Sequence, residues 1–319
     1  MARVLTVTLN PAIDVTVGLD TLKPGVVNRS LGLASHAAGK GLNVGQVLAD
    51  LGHKVTVSGF LGSANASAFD ALFARRGFVD AFVRVPGETR SNIKLAEQAG
   101  RVTDINGPGP DVALAHREAL WEQVEAIAAG HDAVVVAGSL PRGIDAEWFG
   151  TFLRMISAKN KRLVLDTSGA ALAAGLTATP WLMKPNEVEL AEALKLPDHE
   201  RITVEAAARD LNRHGVEHVL LSLGGEGACW FGPGIGLHAQ PPKVDVVSTV
   251  GAGDSLLAGL LHGILSQLSP ETAIRHATAI AAQAVTQVGF GIHDREQLSR
   301  LDAAVCVTPL EKEQSEASR

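Results

Sequence analysis

The sequence predicts an α/β fold with a mostly parallel sheet, and three observations carry that reading. Short apolar runs such as Val4–Leu9, Ala133–Ala137 and Val219–Leu223 alternate with helix-period stretches such as Leu114–Ala128. Most of these runs end in turns rich in glycine, proline or asparagine, where a strand hands the chain to a crossover helix. The chain has 319 residues, of which 46% are hydrophobic, ample for a large buried core. No internal repeat or linker divides it, so residues 1–319 are expected to form a single domain.

In order, Val4–Leu9 reads as a buried strand, and Asn10-Pro-Ala-Ile-Asp14 turns the chain at its C-terminal end. From Val15 to Ser35 short β-branched pieces are broken by Gly18, Pro24-Gly25 and Gly32, with no helical period. The next predicted helix carries the stripe Val44, Val47, Leu48 and Leu51. Strand Lys54–Phe60, helix Ala66–Arg76 and strand Val79–Val83 follow. Between Pro86 and Pro110 the helical period stops again, and Arg90–Leu95 with Val102–Ile105 predicts a hairpin. Two β excursions, at about 12–36 and 86–107, predict one small accessory sheet that acts as a lid. Arg90, Asn92 and Lys94 alternate onto one face of it, where they are either a charged edge device or a ligand surface.

The alternation resumes with Leu114–Ala128, Ala133–Ala137 and the turn Gly138–Gly143. Helix Asp145–Ala158 then leads to strand Leu163–Leu165, which ends at Asp166. Strand Trp181–Met183 ends at Lys184-Pro-Asn186, before helix Glu187–Leu194. Strand Val219–Leu223 runs into Gly224-Gly-Glu-Gly227, with Ala228–Phe231 as a hairpin return. A helix is predicted from near Asp254, with Leu256, Leu257, Leu260 and Leu261 on its apolar face. The last predicted helix carries small inner residues, Ala273, Ala277 and Ala281, suited to close packing against the sheet edge. Residues 307–319 are polar and charged and are expected to be a disordered tail.

A formal charge of −6 provides no overall basic field for nucleic acid or an anionic membrane. Cys229 and Cys306 lie far apart, so neither a disulfide framework nor a zinc site is indicated. The N-terminal stretch lacks a signal-peptide pattern and no apolar run has the length of a membrane span. A cytoplasmic setting is the expectation.

Chemistry is expected first at Ser248-Thr-Val-Gly-Ala-Gly-Asp-Ser255. Gly251 and Gly253 let consecutive N–H groups point at one spot, and the helix that follows places its positive end there. Asp254 is then either an N-cap or a catalytic carboxylate. Gly39-Lys40-Gly41 opens a helix as a second possible anion site, with a solvated lysine as the plainer reading. It is not a Walker loop, having Ala34 and Gly41 where that motif needs glycine and a hydroxyl residue. Asn186 and Glu189 share a helix face, suited either to a hydrated Mg²⁺ or to a helix cap.

Six motifs in this order resemble the ribokinase-like, phosphofructokinase B type carbohydrate kinases over Val4 to about Leu301. They are Asn10–Asp14, Ala38-Gly-Lys-Gly-Leu-Asn43, Gly138-Ser-Leu-Pro141, Lys184–Glu189, Ser222–Gly227 and Ser248–Asp254. The resemblance implies a three-layer αβα core with a β lid and phosphoryl transfer from ATP with Mg²⁺. It further implies Asp254 as catalytic base, with Gly251, Ala252 and Gly253 as the anion cradle. Asp14, Gly39 and Asn43 would hold sugar hydroxyls, while Lys40, Arg90, Arg29 and Ser139 would meet the phosphate already on the sugar. Lys184, Asn186, Ser222, Gly224, Gly227, Thr249 and Val250 would line the ATP site, with Asn186 and Glu189 organising the metal. His36–Gly41, Glu88–Leu95 and Val244–Ser248 are most similar to members acting on fructose 1-phosphate, with tagatose 6-phosphate and fructose 6-phosphate as alternative acceptors. A homodimer through the lid is implied as well. Thr278 stands where related kinases often carry asparagine near the adenine. A silent sugar-phosphate-binding regulator on the same fold is the rival from another class.

Overall fold

The computed structural model describes residues 1–310. In chain order the elements are β1 (Arg3–Thr8), β2 (Ala12–Leu19), β3 (Gly32–Ala38), α1 (Lys40–Asp50), β4 (Lys54–Gly62), α2 (Ser67–Arg76), β5 (Val79–Val85), β6 (Arg90–Glu97) and β7 (Val102–Asn106). Then come α3 (Leu114–Ala128), β8 (Ala133–Ala137), α4 (Ala146–Lys159), β9 (Leu163–Asp166), α5 (Gly169–Leu176), β10 (Leu182–Met183), α6 (Glu187–Leu194), α7 (Arg201–Arg213) and β11 (His218–Ser222). The chain closes with β12 (Ala228–Gly232), β13 (Ile235–Gln240), α8 (Ala252–Leu265), α9 (Pro270–Ala284), α10 (Arg295–Ala304) and β14 (Cys306–Pro309).

The main sheet has ten strands in the order β14-β13-β12-β11-β10-β9-β8-β1-β4-β5. From β5 to β11 every pairing is parallel, and β12, β13 and β14 add antiparallel neighbours at one edge. Strand β1 alternates its side chains between two cores: Val4 joins the cluster with Leu42, Val47 and Leu257, while Leu5 and Val7 join Leu120, Phe149 and Phe152 on the other face. Helices therefore cover both faces. From β1 the chain moves first to β4 on one side and later to β8 on the other, so the loops leaving β1 and β8 diverge and open a crevice at their carboxyl ends.

The second sheet, β3-β2-β6-β7, joins the two predicted β excursions. Its register places Ala12, Asp14 and Thr16 beside Arg90, Asn92 and Lys94 on one face. Ile13, Val15 and Val17 alternate to the other face with Leu33, Ile93, Leu95 and Ile105. One face is polar and the other apolar.

The structure corrects several expectations. Residues 306–309 form an edge strand paired to β13, so the ordered chain runs beyond the expected tail start at 307, and residues 311–319 lie outside the described ones. Helices α5, α7 and α10 add to the expected elements: α5 is Gly-Ala-Ala-Leu-Ala-Ala-Gly-Leu, α7 buries Val204 and Ala208, and α10 buries Leu298 and Leu301. Helix α8 begins at Ala252, ahead of Asp254, with Gly251 as its N-cap.

Helix α9 packs against the sheet edge at β13 and β14, and its small residues also let it approach α8 closely. A Cβ on Gly259 would lie 2.6 Å from the Ala277 Cα, and one on Gly263 would lie 2.5 Å from the Ala273 Cβ. Glycine here lets two backbones approach, and α8 is the helix that carries Asp254. Gly259→Ala is expected to lower stability by about 1–3 kcal/mol through overpacking, although alanine has a helix propensity better by roughly 1 kcal/mol. Urea unfolding would measure this, and a variant as stable as the parent would show that α9 yields.

Candidate active site

The turn before α8 reverses the chain through Gly251, whose φ of 82° is costly for any residue with a Cβ. The first α-helical bond runs from Ser255 N to Gly251 O at 2.9 Å, so the amides of Gly253 and Asp254 precede the hydrogen-bonded ladder and present free N–H groups. A Cβ on Gly253 would lie 3.1 Å from Lys184 Nζ, which places an ammonium directly against the cradle.

Asp254 is 6% exposed, and one carboxylate oxygen accepts from Asn43 Nδ2 at 2.7 Å. It caps nothing, since α8 has no side-chain cap. Burial and then the charge of Asp166 push its carboxyl up to about 6, against the pull of Lys40, Asn43 and Lys184. Asp166, fully buried at the end of β9, accepts from Lys40 Nζ at 3.0 Å and pairs with Lys184 Nζ at 3.4 Å. Burial alone would raise its pKa, but Lys184 and Lys40 hold it below the ordinary carboxylate value. Lys40 stays protonated, because burial is outweighed by Asp166, Asp254 and Glu189. It heads α1 after Gly39 (φ 150°), and its ammonium lies within the field of Asp166 and Asp254.

Arg90, on the polar face of the second sheet, is anchored by backbone carbonyls. It donates to Asn10 O and Gly107 O at 3.0 Å, to Pro11 O at 3.4 Å and to Ser139 Oγ at 3.4 Å. These contacts tie β6 to the turns after β1 and β8, across the crevice. Burial lowers the Arg90 pKa, partly offset by Asp14. Asp14 accepts from Asn92 Nδ2 at 3.0 Å, and burial raises its carboxyl against the pull of Asn92, Arg90, Lys94 and His36. Arg29 lies in the exposed segment between β2 and β3, and among the described residues no hydrogen bond or ion pair ties it to this site.

On the other side of Asp254 stand the ends of β10 and β11, bridged between Asn186 and Ser222. Asn186 and Glu189 form a reciprocal capping box on α6: Glu189 N donates to Asn186 Oδ1 at 2.8 Å and Asn186 N to Glu189 Oε2 at 3.0 Å. The cap reading thus holds, and it leaves Glu189 Oε1 free while its charge acts on Lys40. Among the described residues no cluster of three or more His, Cys, Asp or Glu is placed to hold a metal. Gly224 and Gly227 bracket a short turn with φ of 57° and 92°. Thr249 and Val250 are exposed beside the cradle. Thr278 is 2% exposed, and its hydroxyl has no partner.

Sequence reasoning passed over Asp166 and Asn10. Asp166 was visible only as an acid ending a strand. Asn10, whose Nδ2 donates to Ser139 Oγ at 3.2 Å and Leu140 O at 3.3 Å, ties the two diverging loops together.

Comparison with known proteins bears on what this arrangement does. The chain is 45% identical over 308 residues to 1-phosphofructokinase of Vibrio cholerae, covering 97% of each chain. It is 44% identical over 309 residues to the Escherichia coli K12 protein of that name, covering 96% of this chain and 98% of that one. A mutant of phosphofructokinase-2 from Escherichia coli superposes with a TM-score of 0.88 at 28% identity, over 95% of this chain and 99% of that one. A ribokinase from Thermotoga maritima shares the fold with a TM-score of 0.74 at 22% identity, over 94% and 99% of the two chains. The model of the pfkB family carbohydrate kinases matches residues 6–296, and this chain belongs to that family.

Proposed function

We propose that this protein transfers the γ-phosphoryl group of ATP to fructose 1-phosphate, giving fructose 1,6-bisphosphate in the cytoplasm. The observation that carries the reading is Asp254, buried at the mouth of an anion cradle between two ammonium groups, in a chain 40–45% identical to relatives named 1-phosphofructokinase.

Asp254 takes the proton of the sugar hydroxyl, oriented by Asn43, while the amides of Gly251, Ala252 and Gly253 receive charge on the phosphoryl group. Because the transition state is largely dissociative, alignment and charge contribute more than early proton removal. Lys40 and Lys184, fixed by Asp166, lie where the phosphoryl group passes, so Lys40 belongs to the group in transit as much as to the acceptor. Asp14 and Gly39 hold ring hydroxyls, and Arg90 with Ser139 faces the existing phosphate. Ser222, Gly224, Gly227, Thr249 and Val250 line the nucleotide side. Asn186 and Glu189 would hold a hydrated Mg²⁺, Glu189 through the oxygen its cap does not use, and the ion would supply charge neutralisation on the nucleotide phosphates. The intact Asn43–Asp254 pair argues against a silent regulator.

A coupled assay of three sugars decides the acceptor. Fructose 1-phosphate is expected to exceed fructose 6-phosphate and tagatose 6-phosphate in kcat/KM by at least about a hundredfold, since wrongly seated hydroxyls leave polar groups unpaired. In the same assay Arg90→Ala should raise KM for the sugar phosphate far more than for ATP. A preference for a 6-phosphate would overturn the acceptor and leave the kinase, and absence of ADP release with every sugar would overturn the kinase.

Asp254→Asn should lower kcat by about 10²–10⁴-fold. With the base titrating at about 6, parent kcat/KM is expected to fall below about pH 6 rather than near 4. The folded-state pKa lies above the ordinary 3.8, so the folded protein binds the proton more tightly and loses stability as pH rises through about 4 to 6. Asp254→Asn should therefore be the more stable form at pH 8, by at most about 3 kcal/mol at roughly 1.4 kcal/mol per unit, and the gap should close below about pH 4. A variant less stable than the parent at pH 8 would show that the carboxylate is well compensated.

The apolar face of the second sheet, with Leu33 at 68% and Ile105 at 54% exposure, supports a homodimer through the lid, since a four-stranded sheet leaves that face half-bare on one protomer. Light scattering at micromolar concentration should give a dimer, and Leu33→Glu a monomer. A monomeric parent with full activity would refute it.

A further inference from the structure

Beneath the cradle lies a ring that the chemistry above does not use. A Cβ on Gly251 would fall 2.7 Å from both Cδ1 and Cε1 of Phe290, so the Phe290 ring edge occupies the space beside the turn that opens α8. Phe290 sits in the connection from α9 to α10, between Gly289 (φ 97°) and Gly291 (φ 109°).

What holds Phe290 is an ion pair from distant elements. Arg76, the last residue of α2, donates through one guanidinium nitrogen to Asp50 Oδ1 at 2.7 Å and through the other to the Phe290 carbonyl at 3.1 Å. Asp50, the last residue of α1, accepts with its second carboxylate oxygen from Ile292 N at 2.9 Å. The same residue's carbonyl accepts from Arg295 at 2.9 Å. Asp50 and Arg76 side chains are each 20% exposed, so the pair is largely out of water. The loop backbone lies directly on it: a Cβ on Gly291 would come within 2.4 Å of Asp50 Oδ2 and 2.7 Å of an Arg76 nitrogen. Gln287 closes the loop by donating to Gly291 O at 2.8 Å.

We propose that Asp50 and Arg76 are positioning residues for phosphoryl transfer, acting through the Phe290 carbonyl and ring to hold the Gly251 turn, and hence the cradle amides, in register. The inference rests on the reading that the cradle receives the transferred group. Arginine reaches the Asp50 carboxylate and the Phe290 carbonyl with two separate nitrogens of one planar fork, whereas a lysine would have to serve both from a single nitrogen on a shorter chain. A lost anchor lets the cradle drift by fractions of an ångström, which affects the transition state more than substrate binding.

The test is steady-state kinetics on full-length Arg76→Gln, Arg76→Lys, Phe290→Leu and the double variant Arg76→Gln/Phe290→Leu, with urea midpoints for each. The parent is assayed first: a parent without ADP release would sink the kinase reading and this inference with it, whereas with an active parent the variants decide this inference alone. With an active parent, Arg76→Gln and Phe290→Leu are each expected to lower kcat about 10- to 100-fold, with KM for the sugar phosphate within twofold. The double variant should fall no further than the worse single one, because both act on one ring. Arg76→Lys should keep the parent's urea midpoint yet lose kcat, which a merely structural ion pair would not do. The proposal is overturned by kcat within twofold of the parent in Arg76→Gln, by sugar KM rising in step with the loss of kcat, by multiplicative single effects, or by Arg76→Lys restoring kcat along with stability. If Arg76→Gln does not fold, Phe290→Leu and Arg76→Lys decide by the same readings.

Discussion

Two buried carboxylates, a buried ammonium and a half-buried one meet at the carboxyl ends of β9 and β10, and the site depends on their mutual neutralisation. Asp166 is wholly buried and tolerable there only because Lys40 and Lys184 flank it. The same two cations would otherwise repel each other beside the cradle. Burial first, and then the ionised Asp166, make Asp254 resist losing its proton, so an ordinary carboxyl is pushed up to about 6. The cluster costs stability by itself, and the surrounding cores supply the rigidity that keeps it together.

The sheet topology explains why those four groups meet. Lys40 heads the helix after β3, Asp166 ends β9, Lys184 follows β10 and Asp254 lies in the first turn of α8. Parallel strands deliver their following turns to the same end, which brings Asp166 and Lys184 together, and the packing of α1 on α8 brings Lys40 and Asp254 to that end as well, without any local signal. The second sheet then closes the open side with its polar face inward, held by Arg90 through main-chain carbonyls rather than through another charge. A guanidinium satisfied in this way is held in place by the main chain.

Much of the molecule was legible in the amino-acid order. The strand runs, the glycine turns and the two β excursions follow from periodicity and from backbone conformations few residues accept, both of which are local properties. Gly251 with Asp254 could be singled out for that reason, and the resemblance of six ordered turns identified the family. Among the helices missed, α5 is alanine and glycine with little alternation, whereas α7 and α10 do alternate but bury only two residues each among many charged ones. Strand β14 was missed because an edge strand pairs on one side and needs little apolar content.

What only the tertiary structure decided is the electrostatic and steric setting of the residues the sequence had named. Lys40 meets Asp166 across 126 positions, Asn43 meets Asp254 across 211, and Arg76 meets Phe290 across 214. No pattern in a window of a few turns encodes such pairs, because they arise from strand order and helix packing. The sequence by itself determined which backbone turns can cradle an anion and which carboxylate stands beside them. The fold determined that the carboxylate is buried, which charge raises its pKa, and which ring supports the turn, since those depend on what is excluded from water and only the assembled core excludes it.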